Sequence, residues 1–251
     1  MKKILMLLIF FCNNAGATFN QTMYVALRGG LNVYENPSDT SNIINHLAYG
    51  EAVVIRLMQD SGVYINGFKT RWVTINNGKG ANGYIVEAYM LPIPPPSGNS
   101  PGFKEYAEQL SEAITPSTIY EEINDLEQNL KDVKTLYKNG MVVTEHNNYE
   151  YLSESLIIPG ITMQQAFTIA QNLGHINELL PNNGKFPKEN IYTNDGNGNY
   201  RQVDLLYSNN IYINFKRLVS ISFTVDNNQI NSTVRLVELN GQVAIIYEYG
   251  S

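Results

Sequence analysis

The run from Pro92 to Gly102, Pro-Ile-Pro-Pro-Pro-Ser-Gly-Asn-Ser-Pro-Gly, holds half of the ten prolines in a chain of 251 residues. Each proline fixes φ and lacks an N–H donor, so the run suits neither a helix interior nor a central strand. It predicts an extended, semi-rigid spacer outside either core, with one folding unit on each side. A docking motif for a partner's aromatic groove is the other reading of such a run. At 43% hydrophobic residues, the chain has enough apolar material to fold around a packed core.

The first seventeen residues carry Lys2 and Lys3, an apolar stretch from Ile4 to Phe11, and then Ala15-Gly16-Ala17. Basic, apolar and small-residue zones in that order predict a secretory signal cleaved near Thr18. Eight apolar residues are too few to span a bilayer, so no stable membrane insertion is expected after cleavage. The sole cysteine, Cys12, lies within this leader, flanked by Phe10 and Phe11 where a lipoprotein signal wants small residues. The expected mature chain therefore has no disulfide, thiol nucleophile or thiolate metal ligand. Losing two lysines takes the formal charge from -6 to -8. Charged residues make up only 16% of the chain, and no Lys/Arg cluster offers itself to phosphates, which argues against nucleic acid as a partner.

Between Thr22 and Leu91 short β-forming runs alternate with turn residues. The runs are 23–27, 31–35, 43–47, 52–58, 71–75 and 83–86, and the breaks are Gly29-Gly30, Asn36-Pro37-Ser38, Gly50 and Asn76-Asn77-Gly78. Gly30-Leu31-Asn32-Val33, Pro37-Ser38, Gly50-Glu51 with Val53-Val54, Trp72-Val73-Thr74-Ile75, Gly83-Tyr84-Ile85 and Tyr89-Met90-Leu91 follow one another in an order that resembles the bacterial SH3-like domain. That resemblance covers about 70 residues, a span read from the sequence as 22–91. It implies a small β-barrel, often appended to exported proteins, several members of which bind cell-wall peptidoglycan. This chain carries Tyr34 where the family commonly places arginine, and inserts 60–70 between barrel strands. The expected ligand-binding residues are Tyr34, Trp72 and Tyr84, whose rings could stack on a peptide or sugar. The alternative for Trp72 is a place in the barrel core.

The region 103–251 shows no family resemblance and reads as an α+β domain, an antiparallel sheet covered by helices. A helix is expected from Phe103 to Ile114. A second is expected from Ile119 to Tyr137, with Ile123, Leu126, Leu130 and Val133 on its apolar face, Ser117 as cap and Gly140 as its end. Strands are expected at 141–145 and 149–158, then a helix opened by a Thr162/Gln165 capping box and running to Leu173. In the tail, apolar and polar residues alternate through 202–205, 211–215 and 219–225, with a turn at Ser208-Asn209-Asn210. Asn240-Gly241 gives a strong hairpin signal.

Glu108, Glu112, Glu121, Glu122 and Asp125 could be imagined as acid/base groups, but glutamates on an open face are solvated groups first. Asp195-Gly196-Asn197-Gly198-Asn199 begins like a calcium loop, but Tyr200 and Leu206 stand where glycine and a bidentate glutamate belong, so it reads as a surface loop. His46, His146 and His175 lack metal-ligand spacing, and no cofactor or metal is expected. The resulting reading is a secreted, non-catalytic cell-envelope protein, periplasmic or extracellular, whose barrel binds a peptide, peptidoglycan or an envelope protein. The alternative is a component of peptidoglycan remodelling, catalytic or accessory.

Overall fold

The computed structural model describes residues 20–58, 62–76, 82–99, 101–123, 129–148, 150–181, 184–210, 215–227 and 230–250. The leader reading and Cys12 lie outside them. Among the described residues no helix is long and apolar enough to cross a membrane.

Before the proline run the strands are β1 Gln21–Val25, β2 Leu31–Tyr34, β3 Ile43–Leu47, β4 Ala52–Met58, β5 Val63–Ile65, β6 Phe68–Thr70, β7 Trp72–Asn76, β8 Asn82–Val86 and β9 Met90–Leu91. All but β5 and β6 join one antiparallel sheet in the order β3-β2-β8-β7-β4-β1-β9. One face is apolar because alternate residues point the same way: Val33, Ile55, Val73, Ile75 and Ile85 are fully buried. The expected closed barrel is not what forms. The ladder ends on β3 and β9, which do not pair; β9 is only two residues long, and β2 meets β8 at one paired position, Tyr34 opposite Tyr84. Strands this short leave the sheet open.

The inserted segment is a β5/β6 hairpin turned by Asn66-Gly67, with φ of +49° and +84°. Two positive φ values in succession make the primed turn that matches strand twist. The turn puts Phe68 into the core at the junction of the two sheets, with ring centroids 5.9 Å from Phe167, 5.4 Å from Phe186 and 5.4 Å from Tyr89.

The proline run is packed down, a departure from a spacer outside either core. Pro95, Pro96 and Pro101 are buried. Proline cannot donate a hydrogen bond but its carbonyl accepts one, and two tyrosines exploit this. The Tyr49 hydroxyl donates to the Pro96 carbonyl at 2.7 Å and the Tyr106 hydroxyl to that of Pro94 at 2.8 Å. Burial pushes the Tyr49 phenol up to about 12, against a smaller opposing pull from Arg28.

After the run come α1 Phe103–Leu110, β10 Ala113–Ile123, β11 Asn129–Tyr137, β12 Val142–Asn147, β13 Tyr151–Pro159, α2 Met163–Ala170, β14 Ile191–Asn194, β15 Tyr200–Asn210, β16 Phe215–Asp226, β17 Asn231–Leu239 and β18 Gln242–Gly250. Their strands form one antiparallel sheet, β10-β11-β12-β13-β18-β17-β16-β15-β14. With two short helices against this many strands, the protein is mainly β. Thr135, Val143, Leu156, Ile245, Leu236 and Ile221 follow one another across the sheet at directly paired positions, all buried. That row marks the covered face. Helix α1 packs over β12 and β13, and α2 over β17 and β18.

Where a helix is expected from Ile119 to Tyr137, the described residues form the antiparallel pair β10 and β11, with Ile119 opposite Val133 and Glu121 opposite Lys131, and 124–128 with Leu126 lie outside them. The apolar positions fit either period over so short a stretch, and pairing to β12 decides for strand. Pro116, which would break a central strand, sits where the register shifts in β10, an edge strand that needs no N–H there. Helix α1 stops at Leu110 because Ala113 and Ile114 pair with Tyr137 and Leu136. The turn expected at 208–210 is not found there. Ser208, Asn209 and Asn210 continue β15 opposite Arg217, Lys216 and Phe215, and 211–214 lie outside the described residues.

Other expectations hold. Thr162 and Gln165 form the capping box, with the Thr162 hydroxyl accepting from the Gln165 N–H at 3.2 Å and the Gln165 side chain from the Thr162 N–H at 2.9 Å. Asn240 and Gly241 have φ of +49° and +84° at the β17/β18 tip. Residues 195–199 link β14 to β15, and Asp195 spends its carboxylate on the N–H groups of Asn197 and Asn199 and on the Asn199 amide.

The two sheets share α2. Ala166, Phe167, Thr168, Ile169 and Ala170 are all buried, as expected of a helix covered on every side. Asn172, just beyond it, is buried too. Its side-chain amide donates to Ala26 O at 3.0 Å and Thr168 O at 2.8 Å, and its carbonyl accepts from Arg28. The Phe186 N–H donates to Asn66 O at 2.9 Å, completing the seam.

Candidate functional site

The residues expected to bind come together on the sheet face opposite the N-terminal core. Tyr34 and Tyr84 are directly paired, Tyr84 is paired with Thr74, and Trp72 with Val86, so period-two alternation puts all three aromatics on one side. Their neighbours Val33, Val73 and Ile85 point the other way into the core. Tyr34 meets Trp72 edge-on, centroids 5.5 Å apart and planes at 89°, the arrangement that the ring quadrupoles favour.

Trp72 is 6% exposed and thus largely a floor, whereas Tyr34 and Tyr84 are half-buried. Neither tyrosine hydroxyl has a hydrogen-bond partner among the described residues. Arg71 clamps the carrying strands by donating to both oxygens of Glu87, at 2.6 and 3.0 Å. A tyrosine ring edge-on to the indole, a second tyrosine on the same sheet face and two unengaged hydroxyls can stack on a peptide plane or sugar ring and hydrogen-bond along it.

Among the carboxylates considered from sequence, Glu108 and Glu112 share no described contact. Glu112 pairs with Lys138, Glu121 and Glu122 lie in β10, and Asp125 is outside the described residues. The histidines each have a different neighbour: His46 contacts Asn32 at 2.9 Å, His146 contacts Asp132 at 2.5 Å, and His175 contacts Glu154 at 3.2 Å. Among the described residues no three His, Cys, Asp or Glu side chains are placed to hold one metal ion.

A second concavity was not anticipated. Glu145 of β12 and Glu154 of β13 are directly paired, and their row runs on through Tyr247, Val234, Phe223 and Val203. They therefore stand on the covered, apolar face. With Glu105, Phe103, His175, Tyr247, Val143 and Leu152 they line a cavity of about 310 Å³ beneath the start of α1. The His175 ring is wedged between Phe103 and Tyr247, at 5.1 and 5.4 Å. Burial raises the Tyr247 phenol, which its hydrogen bond to Ser232 opposes. The Tyr137 hydroxyl, on a residue 2% exposed, has no partner among the described residues; burial raises its pKa first, and the charges of Glu108, Glu145 and Glu105 raise it further.

The sequence signal for this cavity was available: an acid takes the place of an apolar residue at Glu145, two beyond Val143, and at Glu154, two before Leu156. No protein-family model, curated protein or solved structure matches the chain.

Proposed function

We propose that the protein is an exported, non-catalytic cell-envelope protein whose N-terminal module holds a peptide, a peptidoglycan strand or a protein partner against Tyr34, Trp72 and Tyr84. What supports this reading is the gathering of the three aromatics on one sheet face, Tyr34 edge-on to a supported Trp72, with unengaged tyrosine hydroxyls beside them. The leader-like opening and the SH3-like order of motifs supply the envelope context.

Electrostatics shape how such binding works. A mature chain near -8 does not attract polyanionic wall material at long range, so stacking and hydrogen bonding must carry the contact. Added salt then screens repulsion and strengthens binding slightly.

The test is co-sedimentation of the mature chain with purified peptidoglycan at low and high salt, beside Tyr34→Ala. Pelleting that persists in salt and weakens in the variant is the expected result. Pelleting by neither protein at either salt would leave the aromatic face to a protein partner, and soluble fragments found by mass spectrometry in the supernatant would place the protein among wall hydrolases.

A further inference from the structure

The pairing of Glu145 with Glu154 runs against the ordinary logic of a sheet. Like charges at directly opposed positions repel, and here they do so on the face that buries the core rather than the one that meets water. Glu154 has His175 at 3.2 Å. Glu145 and Glu105 have no ion-pair or hydrogen-bond partner among the described residues. Lys104 is the one lysine or arginine among the residues that line the cavity, and it is exposed.

Close by, the buried Tyr137 hydroxyl lacks a partner among the described residues and feels Glu108, Glu145 and Glu105. Paired carboxylates on the covered face open into a concave volume beneath α1, and the Tyr137 hydroxyl, outside the cavity wall, feels two of the acids that line it, Glu145 and Glu105. Such groups are retained at a cost to stability, and a bound cation would relieve it.

The walls identify what kind of cation. The carboxylates do not converge with a third ligand group as a metal ion requires. The remaining lining is apolar and aromatic, from Phe103, Val143, Leu152 and Tyr247, which suits a hydrocarbon stem and a cation lying against ring faces. A volume of about 310 Å³ is at the small end for ligand sites, with room for a side-chain-sized group rather than a sugar oligomer.

We propose that this cavity binds the aminoalkyl end of a lysine-like ligand, the ammonium held between Glu145 and Glu154 and the stem against Phe103 and Leu152. The site is independent of the aromatic face, and its failure would leave that reading untouched.

Calorimetric titration of the mature chain tests it with three probes: cadaverine as a free diamine, Nα-acetyl-lysine N-methylamide as a peptide-borne amine, and Nα-acetyl-norleucine N-methylamide as the uncharged twin. At least one amine should bind with a Kd below about 1 mM and the norleucine compound should not. Which amine binds tells a free diamine from a peptide side chain. Glu145→Gln, which keeps shape and removes one charge, should weaken amine binding by about tenfold or more while the ligand-free melting temperature stays level or rises, because a repulsion is gone. Tyr34→Ala should leave amine binding unchanged.

Equal binding of the norleucine compound, no amine binding up to about 10 mM, or amine displaced by an equal concentration of calcium or magnesium would each overturn the assignment. So would an unchanged affinity in Glu145→Gln, or a loss of affinity accompanied by a lowered melting temperature in both Glu145→Gln and Glu154→Gln, which would make the acids structural.

Discussion

Two Asn-Gly turns provide a matched pair for measuring how the sheets are joined. Gly67 and Gly241 each follow an asparagine with φ of +49° and each has φ of +84°. A Cβ on Gly241 would meet nothing within 4 Å, whereas on Gly67 it would fall 1.9 Å from the Phe186 carbonyl oxygen. Alanine at either site carries the left-handed cost, about 1–2 kcal/mol. At Gly67 the backbone of Phe186 must also retreat, which breaks the Phe186 N–H bond to Asn66 O at 2.9 Å and moves a ring packed on Phe68 and Phe167. The lost hydrogen bond contributes about 1 kcal/mol. The displaced packing contributes at least about another 1 kcal/mol.

Gly67→Ala should therefore destabilise by about 2 kcal/mol more than Gly241→Ala, a gap of about 4–8 °C in melting temperature for a chain of this size. Differential scanning calorimetry of both variants reads it. Equal losses would refute the contact between the inserted hairpin and Phe186. Two separate transitions, with only one moved by Gly67→Ala, would refute the view that the hairpin couples the sheets.

Trp72→Ala should cost about 3 kcal/mol or more in urea unfolding, since the indole is largely buried; an unperturbed midpoint would place Trp72 outside the packed structure and leave Tyr34 without its floor. Tyr49 gives an alkaline signature. Its phenol titrates near 12 in the fold against 10.0 unperturbed, so its contribution is full below pH 10 and is lost as pH rises through 12. Tyr49→Phe should flatten part of that alkaline limb while costing about 1 kcal/mol at neutral pH from the lost bond to Pro96, and an unchanged limb would argue that the proline run is not anchored there. The leader reading expects a mature protein that begins near Thr18, and an intact mass that retains residues 1–17 or carries acyl chains on Cys12 would reject it.

Local chemistry was legible where it sufficed to fix the backbone. The Thr162/Gln165 box and the Asn240-Gly241 turn are closed by groups a few residues apart, so a short window contains the whole cause. Residues 119–137 were misread because three- or four-residue apolar spacing and strand alternation coincide there, and what decides between them is β12, which lies outside the window. The proline run looked like a tether because its composition shows the missing donors and not the acceptors; Tyr49 and Tyr106 reach those carbonyls from elsewhere in the chain. Tyr34, Trp72 and Tyr84, the residues expected from sequence to bind, share one sheet face because strand alternation and the β2/β8 and β7/β8 registers put them there. The Glu145 and Glu154 cavity went unseen because the significance of an acid on a strand depends on which face the helices cover.

The order of the larger sheet also sets a schedule for folding. Strands β10 to β13 pair in sequence, and β17 back to β14 do likewise, and in the strand order the two arrays are joined by β18, which pairs with β13 on one side and β17 on the other. During synthesis each array can zip from local hairpins, while the seam between them waits for Gln242–Gly250, which emerges after the other strands of this sheet. Until then β13 and β17 both present unpaired edges, the state most exposed to mispairing with another chain. The β13/β18 ladder spans about ninety residues of sequence, so its closure is the slow, high-contact-order step, and refolding should show it as a late phase that truncating β18 abolishes.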